Sequence, residues 1–214
     1  MSESIRVGIL LPVYKGDILI FIKCAINSLL NQTHTNISIF IGIDGPVGEN
    51  VLAFINEFSV KSDIRIVRFE ENRGLAAVLN DLLDICFAEK IDYIARMDAD
   101  DISVNNRIQK QLDFLISHPE VDVIGGRIEE INEQSERNGK SVTYPLTHQE
   151  CFKFFRYRDP LAHPAVMFRK SFFDKAKGYR NEYRKNQDTM LWFDGFMNGC
   201  IFANLDETVL LFRV

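Results

Sequence analysis

Between residues 5 and 117 the chain repeats one alternation four times: a short apolar, β-branched run, a polar turn, then a longer stretch with its apolar residues on one helical face. The runs cover residues 5–11, closed by Pro12, then 37–43, 64–69, and a fourth opening at Tyr93. Runs this apolar fit strands buried on both faces. The helices predicted between them cover residues 17–30 with Asp17 as cap, 49–58, 75–88, and 103–117 with Ser103 as cap. Four strand–helix units in a row argue for a parallel α/β sheet with right-handed crossovers. Such sheets bind ligands beyond the carboxyl ends of their strands. There the chain places Tyr14-Lys15, Asp44-Gly45, Asn72-Arg73-Gly74 and the run from Asp98 to Asp101.

The last of these is the most loaded. The stretch Tyr93-Ile94-Ala95-Arg96-Met97-Asp98-Ala99-Asp100-Asp101 begins as a strand and ends with three carboxylates in four residues. Carboxylates packed so closely raise one another's pKa. A hard cation relieves that repulsion, and Mg²⁺ and Mn²⁺ take oxygen ligands together with phosphates. One reading is therefore a metal site holding a nucleotide's phosphates. The other is a polar turn with a helix cap, for which Asp is equally suited.

Beyond residue 127 the regularity fades. Residues 121–126 read as a fifth strand, and 129–140, with Asn138-Gly139, as an exposed hairpin or loop. Helices are expected from Thr147 or His148 to Arg156, from Ser171 as cap to Lys177, and over 187–197, with short strands at 165–168 and 208–212. The 214 residues suit one domain, with residues 128–214 a smaller subdomain packed on the sheet. A net charge of −5 argues against general nucleic-acid binding. Cys24, Cys86, Cys151 and Cys200 form no CxxC pair, which fits core thiols in a reducing cytoplasm. Met1-Ser2-Glu3-Ser4 is polar and offers no leader, and no apolar run is long enough to span a bilayer. Any membrane contact would be peripheral, at the inner face, through Lys153, Phe154, Phe155, Arg156, Tyr157 and Arg158; a core helix with solvated arginines is the other reading of that segment.

Read together, these motifs resemble the family 2 glycosyltransferases of the GT-A fold, which include many bacterial O-antigen and capsule enzymes. The resemblance is carried by Leu11-Pro12-Val13-Tyr14, Ser28-Leu29-Leu30-Asn31-Gln32-Thr33, Ile43-Asp44-Gly45, Asn72-Arg73-Gly74, the Asp98-Ala99-Asp100 motif with Arg107 after it, His163-Pro164-Ala165, Gly178-Tyr179, and Gln187-Asp188 with Leu191-Trp192. Each motif is weak alone; their order and spacing are specific.

The resemblance implies a mostly parallel, Rossmann-like sheet with helices on its faces, residues 1–127 forming the nucleotide-sugar-binding half and 128–214 the acceptor-binding half. It implies that Asp100 holds Mn²⁺ or Mg²⁺ and that Asp98 contacts the ribose or sugar, with Ala99 and Pro12 beside the donor. It further implies that Asp44 accepts the base imide N–H, Tyr14 stacks on the ring and Arg73 adds a contact to the base. Asp188 is implied as general base of an inverting transfer from a UDP-sugar to a glycan or lipid-linked acceptor. His163 and Trp192 are candidates for phosphate or acceptor contacts, or else structural residues. The chain departs from the family pattern at Gly45-Pro46, at Gln187 in place of the usual Glu, and at Asp194 where Arg is common; relatives also commonly continue past the position of Val214. A sugar nucleotidyltransferase and an inactive nucleotide-sugar or glycan binding module are the alternatives.

Overall fold

The computed structural model describes residues 5–214, so the polar Met1–Ser4 segment lies outside the described residues. Its first half is the predicted alternation. Strands β1 (Val7–Tyr14), β2 (Ile37–Asp44), β3 (Ile64–Phe69) and β4 (Tyr93–Arg96) are mutually parallel in the order β3-β2-β1-β4. Every residue of β2 is buried, as a strand covered on both faces demands. Along β1, Val7, Ile9, Leu11 and Val13 enter one core while Leu10 enters the other, the period of two expected of a pleated strand. Helix α1 (Leu19–Leu30) packs on the first face through Ile22, Ala25, Ile26 and Leu29; α3 (Leu75–Ala88) packs on the second. Gly42 permits that second contact, because a Cβ there would lie 2.6 Å from Val78 Cγ1.

Pro12 does not end β1 but lies within it, opposite Gly42. On the other edge β4 stops at the level of Leu10, where the Met97 N–H bonds the Leu10 carbonyl, so the ladder lacks no bond at Pro12. Helix α2 (Glu49–Asn56) joins β2 to β3.

The second half extends the same sheet, with β5 (Ile102–Ser103), β6 (Val123–Ile131), β7 (Arg137–Val142), β8 (Met167–Arg169) and β9 (Phe202–Arg213). Strand β8 runs antiparallel between β4 and β6, β9 pairs parallel with β6, and β5 and β7 add antiparallel edges. The helices here are α4 (Arg107–Ser117), α5 (His148–Phe154), α6 (Lys170–Ala176) and α7 (Gln187–Met197). A capping box at Thr147 and Glu150 starts α5. Of the α5 segment, Cys151 is buried, Phe154 and Phe155 are half-buried, and Phe152, Lys153, Arg156, Tyr157 and Arg158 are exposed. No helix among the described residues is long and apolar enough to cross a membrane.

Several expected caps are absent. Ser103 lies in β5, where its Oγ accepts from Gln32 Nε2 at 3.2 Å; Gln32 Oε1 in turn accepts the Ile108 N–H of α4 at 3.1 Å. A side chain distant in sequence thus satisfies the start of that helix. Ser171 lies inside α6 and donates to Asp122 Oδ1 at 2.6 Å. Asp17 does not cap α1 and accepts the Tyr14 N–H at 2.8 Å. Asn138-Gly139 lies in β7; the β6–β7 reversal is built on Asn132, whose Oδ1 accepts the N–H groups of Gln134 and Glu136.

An aromatic cluster fills the core between α6, α7 and the sheet. Trp192 is fully buried among Phe168, Phe172 and Phe202, with ring centroids 6.0, 6.4 and 6.0 Å away, and its Nε1–H has no hydrogen-bond partner among the described residues. Trp192 is therefore a core residue. Truncation to alanine is expected to cost about 3–5 kcal/mol through the cavity it leaves. Trp192→Phe is expected to cost clearly less, because it also removes an unsatisfied buried donor. Urea unfolding of the two variants checks the ranking, and equal costs would refute it.

Candidate active site

A cavity of about 460 Å³ opens where β1, β2 and β4 end, lined by Pro12, Val13, Tyr14, Asp17, Asp44, Asn72, Gly74, Leu75, Val78, Asp98, Ala99, Asp100, Arg184 and Phe212. Six of the residues implied by resemblance thus meet there: Pro12, Tyr14, Asp44, Asp98, Ala99 and Asp100. Tyr14, half exposed, lays its ring over Gly16, where a Cβ would sit 2.5 Å from the ring.

Asp44 is buried at the end of β2, and its carboxylate organises the loop before α3. Oδ1 accepts the Arg73 N–H at 2.7 Å; Oδ2 accepts the Gly74 N–H at 2.9 Å and Asn72 Nδ2 at 2.8 Å. Arg73 contributes its backbone only: its guanidinium pairs with Asp81 and stacks on Phe69, with 4.9 Å to the ring centroid, and does not line the cavity.

The acidic turn follows β4. Fully buried Arg96 forms an ion pair with Asp98 through Nη1, while its Nε has no partner. Asp101 is fully buried; its Oδ1 accepts the Arg213 N–H at 2.9 Å, and its Oδ2 has no hydrogen-bond partner. Arg213 Nε also donates to the Asp100 carbonyl at 2.8 Å, so β9 clamps the turn. Asp98, Asp100 and Asp101 each offer a carboxylate oxygen, all within 4.8 Å of one another. Three hard oxygen donors, one of them buried and unpaired, fit a divalent cation of the Mg²⁺ or Mn²⁺ type. Among the described residues Arg107 pairs with no carboxylate. It donates from Nη2 to the carbonyls of Arg96 at 2.8 Å and Val166 at 3.1 Å and from Nε to Gln111 Oε1 at 3.1 Å, and burial pulls its pKa down to about 9.

The residues expected from the second half lie apart from the cavity lining. Asp188 is half-buried in the first turn of α7, its Oδ1 accepting the Thr189 N–H at 2.9 Å. His163 is buried, its Nε2 2.8 Å from the Tyr179 hydroxyl, and burial holds its pKa well below the usual imidazole range; it is a satisfied structural histidine. Asp194 is tied by two hydrogen bonds to Arg180, at 2.6 and 2.7 Å, so an ion pair persists there and this carboxylate is not free to act as a base. Sequence reasoning placed Asn72 at a strand end without giving it a role, and missed Asp17, Arg184, Phe212 and Arg213 as site residues. Asp17 carried a signal, being a carboxylate just past the first strand; Arg184 carried none.

Asp17 is pushed up to about 7, first by burial and then by the charges of Asp100 and Asp98. Asp101 rises to about 8, by burial and then Asp98, and Asp100 rises for the same two reasons. A carboxyl group whose folded pKa is raised holds its proton in the folded state after the unfolded chain has lost it, so stability is lost as pH climbs between the two values. For Asp17 that window runs from 3.8 to about 7. Wild-type protein in EDTA is therefore expected to lose melting temperature relative to Asp17→Asn across that interval, as thermal melts at stepped pH would record. Parallel curves for the two proteins would contradict the assignment.

Comparison with known proteins adds the family. A glycosyltransferase of Haemophilus influenzae described as uncharacterized is 31% identical over 209 residues, spanning 98% of this chain and 76% of that protein. The UDP-Gal:alpha-D-GlcNAc-diphosphoundecaprenol beta-1,3-galactosyltransferase of Escherichia coli is 29% identical over 212 residues, spanning 99% of this chain and 75% of that one. The crystal structure of S. aureus TarS 1-349 in complex with UDP-GlcNAc aligns with a TM-score of 0.76 at 15% identity, covering 98% of this chain. This chain spans 59% of that protein and 37% of the longer TarS chain. That likeness speaks for the fold, which is GT-A. The Glycosyl transferase family 2 model matches residues 9–176, and to that family the chain belongs.

Proposed function

We propose that this chain is an inverting glycosyltransferase that moves a sugar from a UDP-sugar to a hydroxyl of a glycan or lipid-linked acceptor in cell-surface polysaccharide synthesis. The observation that carries the reading is the acidic turn of Asp98, Asp100 and Asp101 at the mouth of the strand-end cavity in a family 2 chain. UDP-Gal in the name of the E. coli enzyme and UDP-GlcNAc bound to TarS support the choice of nucleotide.

In this reading residues 1–127 bind the donor and 128–214 the acceptor. Asp100, with Asp98 and Asp101 beside it, would hold Mn²⁺ or Mg²⁺. Bound there, the cation would neutralise charge developing on the departing diphosphate. Tyr14 and Asp44 serve the base end, Asp44 mainly by fixing the Asn72–Gly74 loop. Asp188 takes the proton of the acceptor hydroxyl as its oxygen attacks the anomeric carbon, and a single displacement inverts that centre. Its place at the start of α7, outside the lining of the donor cavity, supports the role, since attack must come from the side away from the leaving group.

Two substitutions separate donor binding from chemistry. UDP is expected to raise the melting temperature more in Mn²⁺ than in EDTA, and Asp100→Ala to abolish that difference. Asp188→Asn is expected to keep it while transfer falls about 10²–10⁴-fold, the usual contribution of a general base. Equal UDP affinity with and without metal would remove the cation site. Near-normal transfer by Asp188→Asn would remove the base, and UDP binding without any transfer or donor hydrolysis by wild-type protein would leave a binding module.

The exposed side chains of α5 and of the turn after it support a peripheral contact with the membrane. Phe152 and Tyr157 are 48% and 85% exposed, and Lys153, Arg156 and Arg158 stand beside them with exposed side chains. Aromatic rings with cations around them suit an anionic lipid surface. Flotation with anionic vesicles at low salt is expected to carry the protein upward, and an Arg156→Glu/Arg158→Glu double variant to stay below. No flotation of wild-type protein would discard the contact.

A further inference from the structure

The cavity is strongly acidic. Asp17, Asp44, Asp98 and Asp100 line it, and Arg184 is the sole cationic residue among the lining side chains. Arg184 comes from the loop before α7, in the distal half of the sequence, and reaches across to the Asn72–Gly74 loop. Its Nη1 donates to Asn72 Oδ1 at 3.4 Å, while the other end of the same amide holds Asp44. The guanidinium lies against Gly74, where a Cβ would come within 2.6 Å of Nη1 and 3.2 Å of Cδ; Gly74, at φ +91°, leaves the space open. No ion pair engages Arg184 among the described residues, in contrast to Arg73, which is committed to Asp81 and Phe69.

We infer that Arg184 forms one wall of the nucleobase end of the donor site and supplies there the guanidinium contact that Arg73, turned outward, does not make. The inference rests on the donor reading given above, which assigns the Asp44 end to the base. A guanidinium is planar, stacks on aromatic faces and is weakly hydrated, so it suits a ring sliding in beneath it. Asn72 then has two tasks: it holds Asp44 with its amide nitrogen and steadies Arg184 with its oxygen.

Calorimetry in Mn²⁺ with UDP, dTDP and GDP, followed by ligand-observed NMR with the matching nucleoside, tests the inference. For whichever nucleotide binds wild-type protein, Arg184→Ala is expected to weaken both the diphosphate and its nucleoside by the same factor of about ten, the size of a desolvated cation–ring contact. Arg184→Lys is expected to recover only part of that loss, and Arg73→Ala to cost much less than Arg184→Ala. Since Arg184 is exposed, the variants should melt with wild-type protein. Unchanged affinity in Arg184→Ala would overturn the inference, as would a loss at least as large in Arg73→Ala. A loss confined to the diphosphate would move Arg184 to the phosphates and overturn its place at the base. If none of the three nucleotides binds wild-type protein, the donor reading itself fails and the inference falls with it.

Discussion

A buried cation that touches no carboxylate among the described residues holds the two halves of this sheet in place. Arg107 sends Nη2 to the carbonyls of Arg96 and Val166, the last residue of β4 and the residue just before β8. Its neighbour Gln111 donates to the Ala165 carbonyl at 2.7 Å and takes the Arg107 Nε–H. A charge at this depth is tolerable only when its donors are satisfied and fixed dipoles surround it. The carbonyls can serve it only while β4 and β8 lie side by side, so the cation and the junction specify each other. Arg96 and the acidic turn hang directly from this point.

From there the polar apparatus spreads outward in two branches. One runs through the Arg96–Asp98 pair to the three carboxylates, closed by Arg213 from β9. The other lies at the end of β2, where Asp44 gathers three N–H donors from the Asn72–Gly74 loop. Burial first, and the like charges crowded in the first branch second, push the Asp17 and Asp101 carboxyls up. The apolar cores on both faces of the sheet supply the stability that keeps such a site formed.

What was legible in the sequence was what local pattern dictates. Strand β3 and helices α3 and α7 fall on their expected bounds, because a continuous apolar run or a one-faced helical period leaves little choice. The cluster at Asp98 to Asp101 was legible as a candidate because three carboxylates fall within four residues just past a predicted buried strand, which left a cation site and a polar turn as its two readings. What stayed hidden depends on distant partners. The start of α4 is satisfied by Gln32, 76 residues before the N–H it accepts, so a search for a local Ser or Asp cap finds the wrong residue. Arg73 looked available because the sequence does not reveal that Asp81, one helical face away, takes it. His163 and Trp192 stood beside family motifs, yet His163 is buried against Tyr179 and Trp192 among phenylalanines.

The clasp of Arg213 on Asp101 joins groups 112 residues apart in the chain. Contacts of such separation close large loops and form late along a folding route. On the ribosome the acidic turn therefore emerges long before its clasp, and for that interval its carboxylates face water or loosely held ions rather than a finished cavity. The order of synthesis thus leaves the acidic turn without its clasp until β9 has docked, so the turn is among the last parts of the fold to be fixed.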